Sequence, residues 1–92
     1  MATELHPTPT RLALLRDIAD PAVEVYRKRD LDSDAIKSYC GFRVVTAMIA
    51  EFERAGWVRL GPADHPSIYA RRPWELTDLG RQVLAAADSK EK

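Results

Sequence analysis

The chain has 92 residues, enough for one domain and too few for a second folded module, because single domains most often hold about 100–150 residues. A composition that is 46% hydrophobic and 30% charged excludes a disordered polymer. The formal net charge of +0 excludes a uniformly basic nucleic-acid binder, so contact with a polyanion requires an uneven distribution of charge.

No apolar run approaches the roughly 20 residues that span a bilayer, and Met1 to Pro7 lacks the basic-then-apolar pattern of a secretion signal. A cytoplasmic location is therefore expected. The single cysteine, Cys40, excludes an internal disulfide and agrees with a reducing compartment.

Residues 1–7, polar and broken by proline, are expected to form a flexible arm. Thr8-Pro9 is a helix start, with threonine as N-cap and proline at the first helical position, where a missing N–H costs nothing. Leu12, Leu15, Ile18 and Ala19 form its apolar stripe, and Asp20-Pro21 ends it. Val23 to Tyr26 alternates apolar and polar residues and predicts a short strand, which must join a later hairpin because four residues make no sheet alone.

Asp32 or Ser33 can cap a second short helix through Ser38 or Tyr39, with Ile36 and Tyr39 as its apolar contacts and Gly41 as the connector that follows. The next segment, Arg43 to Ala55, has the clearest helical period. Val45, Met48, Ile49 and Phe52 share one face, and Arg43, Thr46, Ala47, Ala50 and Arg54 share the other. Gly56 closes it as a C-cap, where glycine takes a left-handed backbone at little cost.

Trp57 to Leu60 predicts a strand, Gly61 to Ser67 a turn-rich tip, and Ile68 to Leu76 the returning strand, which Pro73 restricts to an edge or an irregular end. Thr77 caps a last helix with Leu79, Val83 and Leu84 inward. Residues 88–92 are expected to be a polar tail.

Helix, strand, helix, helix, strand, wing, strand, helix is the element order of winged helix-turn-helix proteins. The segments Ala55-Gly56-Trp57-Val58-Arg59 and Trp74-Glu75-Leu76-Thr77-Asp78-Leu79-Gly80-Arg81 resemble the helix-to-wing and wing-to-helix corners of MarR-like and PadR-like regulators over residues 8–87. The resemblance implies an α+β winged helix-turn-helix domain with helices packed on a two- to three-stranded antiparallel sheet. It also implies a small transcriptional regulator that binds double-stranded DNA sequence-specifically. The chain departs from the pattern in having no room for a long dimerising helix or a ligand domain.

An α-helix fits the major groove of B-DNA, which makes 43–55 the candidate recognition helix. On its free face Arg43 suits guanine or phosphate, Thr46 a base or phosphate, Ala47 and Ala50 permit close approach, and Arg54 suits a phosphate. Lys37, Ser38 and Tyr39 precede it and can hold the opposite groove wall. His65, Ser67, Tyr69, Arg71 and Arg72 lie in or beside the wing at 64–72, placed for the backbone or the minor groove. A possible homodimer, paired through the first or last helix, follows from the modest affinity of a lone module.

Other features read as structural. Arg27-Lys28-Arg29 is followed at once by Asp30, Asp32 and Asp34, as expected of a solvated mixed run, and Trp57 and Trp74 are expected in the core. Asp30 to Asp34 imitates a calcium loop but has Ala35 where that loop needs glycine and Gly41 where it needs glutamate. His6 and His65 have no ligand partner at metal spacing, and no nucleophile elbow or phosphate-cradling glycine loop occurs, so neither cofactor nor catalysis is expected. The alternative reading, favoured by the neutral charge, is a winged-helix protein-interaction module that does not bind DNA.

Overall fold

A computed structural model describes residues 5–63 and 65–90. In chain order it contains α1 (Pro9–Ala19), β1 (Val25–Arg29), β2 (Ile36–Cys40), β3 (Arg43–Val44), α2 (Thr46–Ala55), β4 (Val58–Leu60), β5 (Arg72–Leu76) and α3 (Asp78–Lys90). The architecture is a small α+β fold with three helices on an open antiparallel sheet of five strands, in the order β3-β2-β1-β5-β4. The expected sheet of two or three strands is thus too small.

The first helix forms as its ends require. Thr8 takes an extended backbone and its hydroxyl accepts from the N–H of Arg11 at 3.3 Å, and Asp20, just before Pro21, is again extended. Leu5 in the predicted arm packs against the core, whereas residues 1–4 of that arm lie outside the described residues.

The main correction concerns residues 32–40, expected as a helix and found as a turn and a strand. The acidic run is the tip of the β1–β2 hairpin. The Asp30 carboxylate accepts from the N–H of Asp32 at 2.9 Å, the N–H of Asp30 donates to the carbonyl of Ala35 at 2.7 Å, and Asp34 sits at φ +61. Aspartate suits both demands, since its side chain builds an Asx turn and tolerates the left-handed region. The hydrogen bond from Asp32, then that from Ser33, holds the Asp30 carboxyl below its ordinary value. After the turn, Ile36, Ser38 and Cys40 alternate with Lys37 and Tyr39, so the period is two rather than helical.

β1 is the expected strand, displaced to 25–29, and it does join the later hairpin. It pairs with β2 from Val25 opposite Cys40 to Arg29 opposite Ile36, and with β5 at Tyr26 opposite Pro73 and Arg27 opposite Arg72. β5 therefore lies inside the sheet and not at its edge. Pro73 is accommodated because it stands beyond the last β4 pair, Leu60 opposite Trp74, and offers only its carbonyl, to the N–H of Gly61 at 2.7 Å.

Gly41, at φ +61, turns the chain from β2 into β3, so Arg43 and Val44 are strand and the predicted helix 43–55 begins only at Thr46. Gly56, at φ +81, ends α2 as expected, and its N–H bonds back to Glu53 and Phe52. Thr77 caps α3 with a hydroxyl that accepts from the N–H of Gly80 at 3.1 Å and donates to the carbonyl of Gly56. α3 continues through residue 90, so positions 88–90 of the predicted tail are helical, and Leu79 is exposed rather than inward.

One sheet face carries the core. Leu14, Leu15, Ile49 and Phe52 are the largest fully buried side chains, and Trp57 and Trp74 are buried with them as expected. Ser38 is the one buried polar residue among those described. Its hydroxyl accepts from the Trp74 indole N–H at 3.0 Å, its N–H donates to the Thr46 hydroxyl at 3.0 Å, and its carbonyl accepts from the N–H of Val45 at 2.8 Å.

Two stability predictions follow. Ser38→Ala leaves the buried Trp74 N–H without a partner and should cost about 1–3 kcal/mol in urea unfolding. Gly80→Ala places a Cβ against the backbone carbonyl of Trp57, so it should destabilise by about 1–3 kcal/mol instead of giving the usual helical gain of about 1 kcal/mol.

Candidate nucleic-acid interface

Strand parity places Arg27, Arg29 and Arg72 on the sheet face that also bears Ser38, Trp74 and Leu76. Along β2 that face meets α1 at Cys40, whose thiol donates to Asp17 at 3.4 Å, and meets the start of α2 at Ser38. Ile36 lies beyond both helices. At this end of the sheet a cleft is lined by Arg27, Arg29, Ile36, Arg72 and the loop residues His65, Ser67 and Ile68.

The arginines of this cleft differ in what they hold. Arg29 pairs with Asp34 at 3.2 Å, and Arg72 donates from Nε to the carbonyl of Gly61 at 3.0 Å, which ties the start of β5 to the end of β4. Arg27, between Ser38 and Arg72 in the register, has no hydrogen-bond or ion-pair partner among the described residues. The loop is shaped locally, with the Ser67 hydroxyl accepting from the N–H of Tyr69 and the Ser67 carbonyl accepting from the N–H of Ala70, both at 3.1 Å.

α2 has a bare sector of its own. With Val45, Ile49 and Phe52 inward, a step of about 100° per residue puts Glu51 and Met48 toward α1 and Thr46, Ala50 and Glu53 toward the opposite flank. Ala47 and Arg54 lie on the outer crest. The ion pair of Arg11 with Glu51 at 3.3 Å confirms which flank faces α1. Arg54 and Glu53 are exposed, and neither has a partner among the described residues. Thr46 already uses its hydroxyl oxygen to accept from Ser38.

The residues singled out from the sequence thus divide. Thr46, Ala47, Ala50 and Arg54 lie on α2, and His65, Ser67 and Arg72 lie by the cleft, with Tyr69 half-exposed on the same loop and Asp64 outside the described residues. Arg43 belongs to β3, opposite Cys40, and approaches Asp17 at 4.0 Å. Lys37 and Tyr39 are on the reverse sheet face. Arg71 pairs with Glu24 at 3.1 Å and lies 4.6 Å over the Tyr26 ring. Arg27 and Arg29, read from the sequence as part of a solvated mixed run, line the cleft. Extending the alternation of Val23 to Tyr26 by one turn of the pleat would have set both on the side of Val25.

Among the described residues no group of three or more His, Cys, Asp or Glu could hold a metal, and no helix is long and apolar enough to cross a membrane. No protein-family model, curated protein or solved structure matches the chain, so the chemistry of the site carries the functional reading.

Cys40 lies at the other end of β2 from the cleft. Burial first, then its hydrogen bond to Asp17, pushes the thiol above its ordinary value, outweighing the nearby Arg43. Thiolate is therefore scarce at neutral pH. Asp17→Asn should speed alkylation of Cys40 by iodoacetamide at pH 8, as the fall in thiol pKa exposes more nucleophile; an unchanged rate would contradict this account.

Proposed function

We propose that the protein binds double-stranded DNA sequence-specifically as a small transcriptional regulator, through one helix and a following wing, since the hairpin at residues 25–40 replaces the first helix of a helix-turn-helix. In this reading α2 enters the major groove and the loop of residues 61–71 serves as the wing. The observation that supports it is the grouping of Arg27, Arg29 and Arg72 around one cleft with the loop residues His65, Ser67 and Ile68.

The physical fit has three parts. A helix of ten residues is about 15 Å long, and its small side chains Ala47 and Ala50 let the backbone come close to base edges. Arg54 can reach a base or phosphate from the crest. Arg27 and Arg72, with His65 beside them, supply positive charge where the groove wall would pass. The neutral total is compatible with this local excess, because Arg11, Arg16, Arg43, Arg59, Arg71 and Arg81 lie against carboxylates elsewhere.

Arg27→Ala combined with Arg54→Ala should reduce duplex affinity and flatten the dependence of log affinity on log salt by about 2, since each phosphate contact contributes about 0.9. Glu53→Gln, which removes the carboxylate from the same sector, should strengthen binding. Unchanged salt slopes in a fluorescence-anisotropy titration of all three proteins would refute the assignment.

A second reading is protein docking, with a second copy of the chain as the partner. Phe42 is fully exposed at 102% and Val44 at 55%, beside a groove that also includes Thr10, Ala13, Ala47 and Met48. β3 is an edge strand, and pairing of two copies about a two-fold axis would satisfy its open backbone groups. Sedimentation should then show a dimer that Phe42→Ser with Val44→Lys converts to monomer; a monomer at tens of micromolar in the unmodified protein would exclude it.

A further inference from the structure

The sheet face turned away from the helices carries two parallel rows of side chains. Across β5, β1, β2 and β3 the register aligns Pro73, Tyr26, Tyr39 and Val44. Two residues along the strands, about 7 Å away, the next row holds Lys28 directly opposite Lys37, with Arg71 one residue before β5. The first row is aromatic and apolar. The second is cationic.

Neither row is accounted for by the fold alone. Tyr26 and Tyr39 stack with ring centroids 5.4 Å apart and 24° between planes, and Arg71 covers the other face of Tyr26 at 4.6 Å. Tyr26 is buried at 8% exposure, so Tyr39, half-buried, is the member of the stack that solvent reaches. Lys28 and Lys37 have no hydrogen-bond or ion-pair partner among the described residues, although like charges directly opposite each other across two strands are destabilising. The nearest compensation is partial. Asp30 feels Lys37 but is held chiefly by the N–H of Asp32, Glu24 is engaged by Arg71, and Glu75 by Arg59 at 3.6 Å.

We propose that this outer sheet face is a second, separate binding site whose ligand is single-stranded nucleic acid. A base stacks on Tyr39, which Tyr26 and Arg71 back from behind, and phosphates sit between Lys28 and Lys37. Aromatic side chains accept any base on their π-face, and flanking cations follow the backbone, which together bind single strands without requiring a base sequence. A bound phosphate would also relieve the repulsion between the two lysines. The proposal does not depend on the duplex reading, because the cleft and this face are on opposite sides of the sheet.

The test uses the full chain and a fluorescent thymidine oligonucleotide of about twelve residues, a length within the usual range of single-strand sites. The unmodified protein should bind it. Lys28→Glu with Lys37→Glu should weaken that binding by about tenfold or more at low salt, while leaving any duplex affinity in place. Lys28→Glu alone restores an opposite-charge pair and should not lower the unfolding midpoint, so loss of binding there is not loss of fold. Tyr39→Leu should weaken the oligonucleotide without changing its salt slope, and the Arg27→Ala, Arg54→Ala protein should bind it normally. Three results would overturn the proposal: no binding by the unmodified protein, equal binding by the lysine double variant, or equal binding of a polyphosphate that has no bases to stack.

Discussion

The arrangement depends on a single buried serine. Ser38 uses all of its polar groups at once: the hydroxyl toward Trp74 of β5, the N–H toward Thr46, and the carbonyl toward Val45 at the start of α2. A polar group in a dry interior is costly unless partnered, so these bonds can be formed together or lost together. They lock the second strand, the fifth strand and the second helix into one register. Arg27, the cross-strand neighbour of Ser38, is thereby held on the same sheet face as that centre.

From that node the sheet acquires two different faces. On the inner side, helices cover the part bearing Val25, Cys40, Trp74 and Leu76 and stop short of Arg27, Arg29 and Arg72. On the outer side, the described side chains organise among themselves through the tyrosine stack and the Arg71 contact. Pleating by two explains how Arg27, Lys28 and Arg29, adjacent in sequence, divide between the two faces of the sheet. A charge that is neutral in total still leaves unpaired cations on both faces.

Much of the frame was legible from local chemistry. Thr8-Pro9, Asp20-Pro21, Gly41, Gly56 and Thr77 mark boundaries or turns where they were expected, because caps, glycine turns and proline act within a few residues of themselves. The buried tryptophans and the inward face of Ile49 and Phe52 followed from periodicity. The failure at 32–40 has the same root. Ile36 and Tyr39 are three apart and Asp32 is a good cap, but the same aspartates also build a hairpin tip, and a short segment holds too few residues to separate the two periods. Reading a helix there hid β2 and its pairing with β3 and placed Lys37 and Tyr39 before a recognition helix, whereas both lie on the outer sheet face.

The amino-acid order by itself determined the class of the molecule, a small α+β domain, and the ends of its helices, since these are set by side chains bonding to neighbouring backbone. Only the tertiary structure decided that a hairpin replaces the expected second helix, that Pro73 lies within an inner strand, and that Arg27 and Arg72 meet. The hairpin rests on strand pairs 7 to 15 residues apart, and the other two outcomes on pairing between β1 and β5, more than forty positions apart, together with the long-range bond from Trp74 to Ser38.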